Sequence, residues 1–397
     1  MEKEPWEIQH EKSFIVGYFF TINMIVGSGV LGIPWAWQQA GWALGLVSQG
    51  ASIVYFVFLS VYTFQVMSRI ELLQRLLSSG YSFAPVGFSD LFGKLNREDF
   101  VEKTQETESA LVTEEFSPRV PTVRVDFAEM VGLVFGRKAQ YGVLVVFCLE
   151  KLILMSGYSI IFSSSCAALI PIGTFETCNV YEDNEFGGSC RLKVWFYLLV
   201  FGVVVVYLSI KGIAEQVWWQ GSTCAARFLV ITILIVTSLV AIFSDTKISD
   251  NEEIDHSPPV FELSQLGIIV SVTLVAFSFQ YGIPNICEAL KDKEKDIPRV
   301  SLWAIGTVSV LYTLLGLVVP FAVEDIDPMV TIDWENYSGG NSERSWWAYG
   351  IASFVLIFPA IDITSIFPIL SIILTDNLIS VNYGQFSKNK LTRVSFT

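Results

Sequence analysis

Histidine is nearly missing from this 397-residue sequence: it occurs twice, as His10 and His256, both in polar segments. No nucleophile motif accompanies either one, so no histidine-based catalytic set can be assembled and the chain is not expected to be an enzyme. Charge is scarce as well. Only 16% of residues are charged, and 39 Asp and Glu outnumber 25 Lys and Arg, for a net charge of -14. With no basic stripe to neutralise phosphates, nucleic acid is excluded as a partner. Cysteine is limited to six residues. Four of them, Cys148, Cys166, Cys224 and Cys287, are spaced like small core residues rather than metal ligands. The acidic start MEKEPWEIQHEKS lacks the short apolar core of a signal peptide, so the first span is expected to direct insertion.

What fills the chain instead is apolar surface. Apolar residues make up 52% of the sequence, and the mean hydropathy is +0.52, beyond the range of ordinary soluble domains. Several runs exceed the roughly 18 to 20 residues needed to cross about 30 Å of hydrocarbon. They are continuous rather than alternating, which disfavours a transmembrane barrel. The expectation is an all-α polytopic membrane protein of about eight transmembrane helices.

The segments read as a cytoplasmic N-terminus (1–12), spans one and two (13–71), a largely disordered cytoplasmic insert (72–138), spans three to five (139–243), an external loop (244–263), spans six and seven (264–323), an external loop (324–346), span eight (347–378) and a cytoplasmic tail (379–397). The insert is acidic and poor in aromatics; only its end, DFAEMVGLVFGRKAQYG, regains helical spacing and is expected to lead into span three. Lys and Arg placement sets the orientation. With the N-terminus inside, the basic segments from Arg69 to Lys138 and Lys291 to Arg299 fall inside, as do Lys211, Lys388, Lys390 and Arg393. Only Arg191, Lys193, Lys247 and Arg344 fall outside. By the same count Cys178 and Cys190 share an external loop, as a disulfide or as two free thiols, and Asn336 heads an external sequon, used or unused.

Two apolar runs are interrupted. Span one carries NMIVGSGVLGIPW, with Gly27, Gly29, Gly32 and Pro34, and span six carries FSFQYGIPNI, with Gln280, Gly282, Pro284 and Asn285. Such residues weaken a helix and remove a backbone donor. The exposed backbone that results is tolerated in a membrane only where protein or a water-filled cavity surrounds it. Close helix packing explains glycines equally well but leaves Pro34 unexplained. Paired interrupted spans point to a transporter with inverted repeats, in which half-helix amides meet an anionic group and freed carbonyls hold a cation or ammonium. A zwitterionic amino acid satisfies both.

These motifs carry a resemblance. NMIVGSGVLGIPWAWQQAGW is similar to the first-span signature of the amino acid/auxin permease family, a branch of the amino acid, polyamine and organocation transporters. FSFQYGIPNICEALKDKEKDIPRV resembles the family's sixth helix, and FPAIDITSIFPILSIILTDNL its eighth. The resemblance implies a five-plus-five inverted-repeat fold and symport of amino acids driven by a sodium or proton gradient, with no other cofactor. It implies a plasma or vacuolar/lysosomal membrane as the location; oligomeric state is left open. By motif, Val26, Gly27, Ser28 and Gly29 match the turn that meets the substrate carboxylate and amino group, and Phe277, Ser278, Phe279, Gln280 and Tyr281 match the facing turn. Asn23, Thr364 and Ser365 match the place where sodium-coupled relatives hold the cation, with interhelical hydrogen bonding as the alternative for Asn23 and Thr364.

Ionisable residues inside spans are costly and mark pathways. Asp362, two residues before Thr364, is a candidate coupling group that raises cation affinity or accepts a proton. Glu150 and Lys151 are neighbours about 100° apart on a helix, so each is expected to need its own partner. Arg227 and Glu215 are expected to snorkel or to close an inner gate. The family has eleven spans, so the second repeat here is incomplete: the expectation is a piece of a longer sequence, ahead of a truncated isoform or a protein completed by a partner. A non-transporting amino acid sensor or scaffold is the competing function.

Overall fold

The computed structural model describes residues 14–78, 126–171, 188–215, 217–244, 248, 257–288, 290, 293–335, 337–340 and 344–383. All regular structure among them is helical. The helices are α1 (Phe14–Ile25), α2 (Ile33–Ala40), α3 (Trp42–Ser78), α4 (Phe127–Phe135), α5 (Arg137–Leu169), α6 (Gly188–Glu215), α7 (Val217–Ser244), α8 (Leu266–Ala276), α9 (Ile283–Glu288), α10 (Lys293–Ala322) and α11 (Trp346–Tyr383). Seven described helices are each long and apolar enough to cross a membrane, and α1 with α2, bent by 49°, make an eighth when taken as one span. The chain is therefore an all-helical, multi-pass integral membrane protein.

Burial sorts these spans. The most apolar window of α11 is 83% buried, whereas that of α5 is 22% buried; α11 runs through the middle of the bundle and α5 turns most of its surface outward. Val54, Phe58, Ile153, Leu199 and Phe243 are among the large apolar side chains left on the outside, as lipid contact requires. Inside, one apolar core joins residues of α1, α2, α3, α7, α8 and α10. A second, smaller one joins α5, α6 and α11 through Tyr158, Phe162, Phe201, Ile363 and Leu370. Tyr281 packs on the rim of both.

Helices outrun the apolar stretches that nucleate them. Span two continues to Ser78 as α3, and α7 begins at Val217, ahead of the apolar core of span five, which brings Gln220 and Thr223 into the helix. The lead-in helix expected before span three is present as α4. It ends at Gly136, whose φ of 85° suits glycine, and it is tied to α11 by the Ala128 N–H, which donates to Asn377 Oδ1 at 3.0 Å. The rest of the long insert, Cys178 and Asn336 lie outside the described residues; Cys190 is disulfide-bonded.

Candidate functional site

Both interrupted spans break in the same way. α1 ends at Ile25, a 3-10 turn covers Ser28–Gly32, and α2 restarts at Ile33 with Pro34 in its first turn. α8 ends at Ala276, a 3-10 turn covers Gln280–Gly282, and α9 restarts at Ile283, with Pro284 next. In each, Gly-Ile-Pro is the restart: proline's missing donor is one that a helix start leaves unused in any case. A helical turn leaves its first amides without intrahelical partners, so the amides of Ser28 and Gly29 in one break, and of Gln280 and Tyr281 in the other, are the groups released.

The two breaks touch. A Cβ on Gly29 would lie 3.1 Å from the Ala276 Cα, so glycine is what allows the backbones to meet. The Tyr312 hydroxyl of α10 lies 3.2 Å from the Ile25 carbonyl and 3.3 Å from that of Ala276, and bridges the last residues of both half-helices. A Cβ on Gly27 would press at 3.2 Å on the Tyr158 hydroxyl of α5 and on Ile366 of α11. Val26, Phe277 and Phe279 are fully buried, and Phe277 lies between the rings of Phe56 and Tyr312, with centroids 6.2 and 5.1 Å away. Gln280 accepts from the Phe279 N–H through Oε1 at 3.1 Å, while its Nε2 is buried with no hydrogen-bond partner among the described residues. Ser278 is half-buried. Of Ser28 only the backbone is described.

Lys151 is wholly buried on α5, with Nζ 3.3 Å from the Tyr281 ring centroid and 5.2 Å from that of Phe147. It also pairs with Glu150 at 2.9 Å. The expectation that these neighbours need separate partners is corrected: both side chains are long enough to reach around the helix, although their Cβ atoms diverge. Glu150 itself stays half-exposed on the outer face of the bundle.

One helical turn below the first break, Asn23 and Ser365 do converge, onto Arg227. This side chain does not snorkel; it is 1% exposed. Its Nε donates to Asp362 Oδ1, its NH1 to Asn23 Oδ1, and its NH2 to Ser365 Oγ at 2.8 Å. Asn23 Nδ2 in turn donates to the carbonyl and Oε1 of Gln220, both at 2.7 Å, and Gln220 Nε2 donates to the Ser365 carbonyl at 2.8 Å. The result is a closed polar ring across α1, α7 and α11. Thr364 stands apart, with its hydroxyl donating to the Ile361 carbonyl at 2.6 Å. Gln220 was not singled out from sequence, and Arg227 was read there only as a snorkelling or inner-gate residue. The signal was their spacing: Gln220, Thr223 and Arg227 fall at i, i+3 and i+7 on one face of an otherwise apolar helix.

The second half of span one is held by loops on two sides. The Gln38 side chain donates to the carbonyls of Val323 (2.9 Å) and Glu324 (3.1 Å) and accepts from the Ile326 N–H at 2.9 Å. The Val330 N–H donates to the Leu31 carbonyl at 3.2 Å, in the break itself. From the other side the Trp42 and Ala43 amides donate to Pro259 and Val260. Trp334, fully buried, donates from its indole to Thr237 Oγ1 at 3.0 Å. Loop segments thus cover this half of the broken span.

Comparison with known proteins bears on what this arrangement is. Transmembrane protein 104 homolog of Caenorhabditis elegans is 25% identical over 366 residues, which cover 91% of this chain and 67% of that protein. Transmembrane protein 104 of Gallus gallus is 23% identical over 395 residues, 91% of this chain and 73% of the relative; the Homo sapiens protein is 21% identical over 399 residues, 92% and 74%. The family model described as transmembrane amino acid transporter protein matches residues 10–100 and 112–357. That match takes in both broken spans and most of the polar ring, and the chain belongs to the transmembrane amino acid transporter family.

Proposed function

We propose that this protein is a secondary active transporter that carries amino acids across its membrane through a site between the two breaks. The observation that supports this reading best is the junction at Gly29 and Ala276, where two half-helix ends share the Tyr312 hydroxyl. Within the turn from Val26 to Gly29, the released amides of Ser28 and Gly29 receive the substrate carboxylate, and the carbonyls of the half-helix ends receive its ammonium. Gln280 Nε2, buried and unpartnered, supplies a further donor to the carboxylate. Phe277, Phe279 and Tyr281 form the wall against which the substrate side chain packs, with Ser278 at its edge. The N-terminus lies in the cytoplasm, the loop between α10 and α11 faces the other side, and an ion gradient drives transport.

Reconstituted proteoliposomes given labelled amino acids in the external medium test the proposal. Concentrative uptake of at least one amino acid is expected, and Gly29→Val, which forces α1 and α8 apart, should reduce it about tenfold or more. Gln280→Leu should raise KM for the carboxylate-bearing substrate by about 10-fold, the value of one charge-assisted hydrogen bond. Substrate binding by the purified protein without flux in any gradient would instead identify a sensor and defeat the transport reading.

A further inference from the structure

The polar ring has a consequence for the coupling ion. If the Asn23, Thr364 and Ser365 region held sodium, its oxygens would need to be free to face the ion, since a hard cation is bound by oxygen ligands. They are not. Asn23 Oδ1 and Ser365 Oγ each accept an N–H from Arg227, Asp362 Oδ1 accepts a third, and Thr364 Oγ1 is turned to the Ile361 carbonyl. A guanidinium keeps its charge at any accessible pH and presents its donors in a fixed planar fork. Asn23, Ser365 and Asp362 do not fit a sodium ion while Arg227 stands among them, because a second positive charge would compete for the same three acceptors.

We propose that Arg227 is the resident cation of this site: its guanidinium permanently performs the structural task of tying broken span one to span eight, and transport is independent of sodium. The inference builds on the transport reading but concerns the ion alone. α1 contributes Asn23, α7 contributes Arg227 and Gln220, and α11 contributes Asp362 and Ser365, so the charge joins the first broken span to two other spans. Removing the guanidinium should leave Asp362 Oδ1, Asn23 Oδ1 and Ser365 Oγ directed at one vacated volume, and so create a sodium site where the wild-type protein has none.

Thermal unfolding of the purified full chain in detergent, in sodium, potassium or choline chloride at equal ionic strength, tests this without needing a substrate. The wild-type midpoint is expected to be the same in all three salts, and Arg227→Ala is expected to gain several degrees in sodium alone, a gain lost in Arg227→Ala/Asp362→Asn. A sodium-specific rise in the wild-type protein overturns the proposal, as does Arg227→Ala that folds and ignores sodium. Uptake into proteoliposomes supplies a readout should Arg227→Ala not fold. Equal flux in sodium and choline media supports the proposal, and a tenfold fall in choline overturns it while leaving transport intact. Absence of flux in both media defeats the transport reading, and the wild-type unfolding comparison then decides the role of Arg227 alone.

Discussion

Arg227 can be buried inside a membrane span only because each of its three nitrogens has an acceptor. A charged group in a low-dielectric interior costs several kcal/mol unless it is paired and hydrogen-bonded, and here Asp362 pairs with it while Asn23 and Ser365 each accept a further hydrogen bond. Truncating one member strands the others. Asp362→Ala is expected to destabilise the protein by about 3–5 kcal/mol, read as a lowered unfolding midpoint, while the double variant Asp362→Ala/Arg227→Met recovers most of the loss because no charge is left unpaired. Arg227→Lys keeps the charge but not the fork and should fall between. Lys151 is a second buried cation, solved differently. It rests on the Tyr281 ring and reaches Glu150 at the outer edge, so Tyr281→Leu should cost about 1–2 kcal/mol through the lost cation–π contact. Sequence marked Asp362, Lys151 and Arg227 as costly and therefore meaningful. It did not say that two of them pair with each other, because partners 135 positions apart are joined only by the fold.

At the scale of the element, the breaks were legible and their packing was not. Glycine and proline in an apolar run state that the helix is interrupted wherever it goes, since the loss of a donor and of side-chain bulk is local chemistry. The sequence left two explanations for the glycines, close packing or an opened backbone, and the structure uses both. Gly29 is a packing glycine at the Ala276 backbone as well as part of the turn. Trp37 illustrates pure packing: it is 1% exposed, and its indole fills the space that Cβ atoms on Gly45 and Gly316 would occupy. Gly316→Ala is therefore expected to displace the ring and cost about 1–3 kcal/mol, checked by unfolding midpoint and by the quenching of tryptophan fluorescence. Gly306→Ala, on the same helix with open space around it, is the matched control and should be neutral or slightly stabilising.

For the molecule as a whole, the segment that covers the first break holds one carboxyl whose pKa is raised. Asp333 sits in the segment between α10 and α11, and burial, together with the charge of Asp327 and Asp325 and against a hydrogen bond from the Asp327 amide, pushes its carboxyl up to about 8 from 3.8. The raised value fixes the sign. Closure of this segment is fully stabilised below the ordinary carboxylate range, weakens as the pH rises, and is lost as the pH passes through about 8. Hydrogen exchange in residues 324–335 is expected to accelerate between pH 6 and pH 9 beyond its chemical rate, and Asp333→Asn should remove that excess. The opening would free the Val330 to Leu31 bond that covers the first break.

Composition and continuous apolar length by themselves determined that the chain is helical and crosses the membrane several times, because the cost of unpaired backbone in hydrocarbon leaves no alternative. Residue chemistry also determined where two spans break. The tertiary structure alone decided that the breaks meet at Gly29 and Ala276, that Tyr312 bridges them, and that Arg227 stands among the oxygens of Asn23 and Ser365. Periodicity fixes which face a side chain takes on its own helix, whereas the partner it meets is set by how helices far apart in the chain pack, and that depends on the summed fit of all their surfaces.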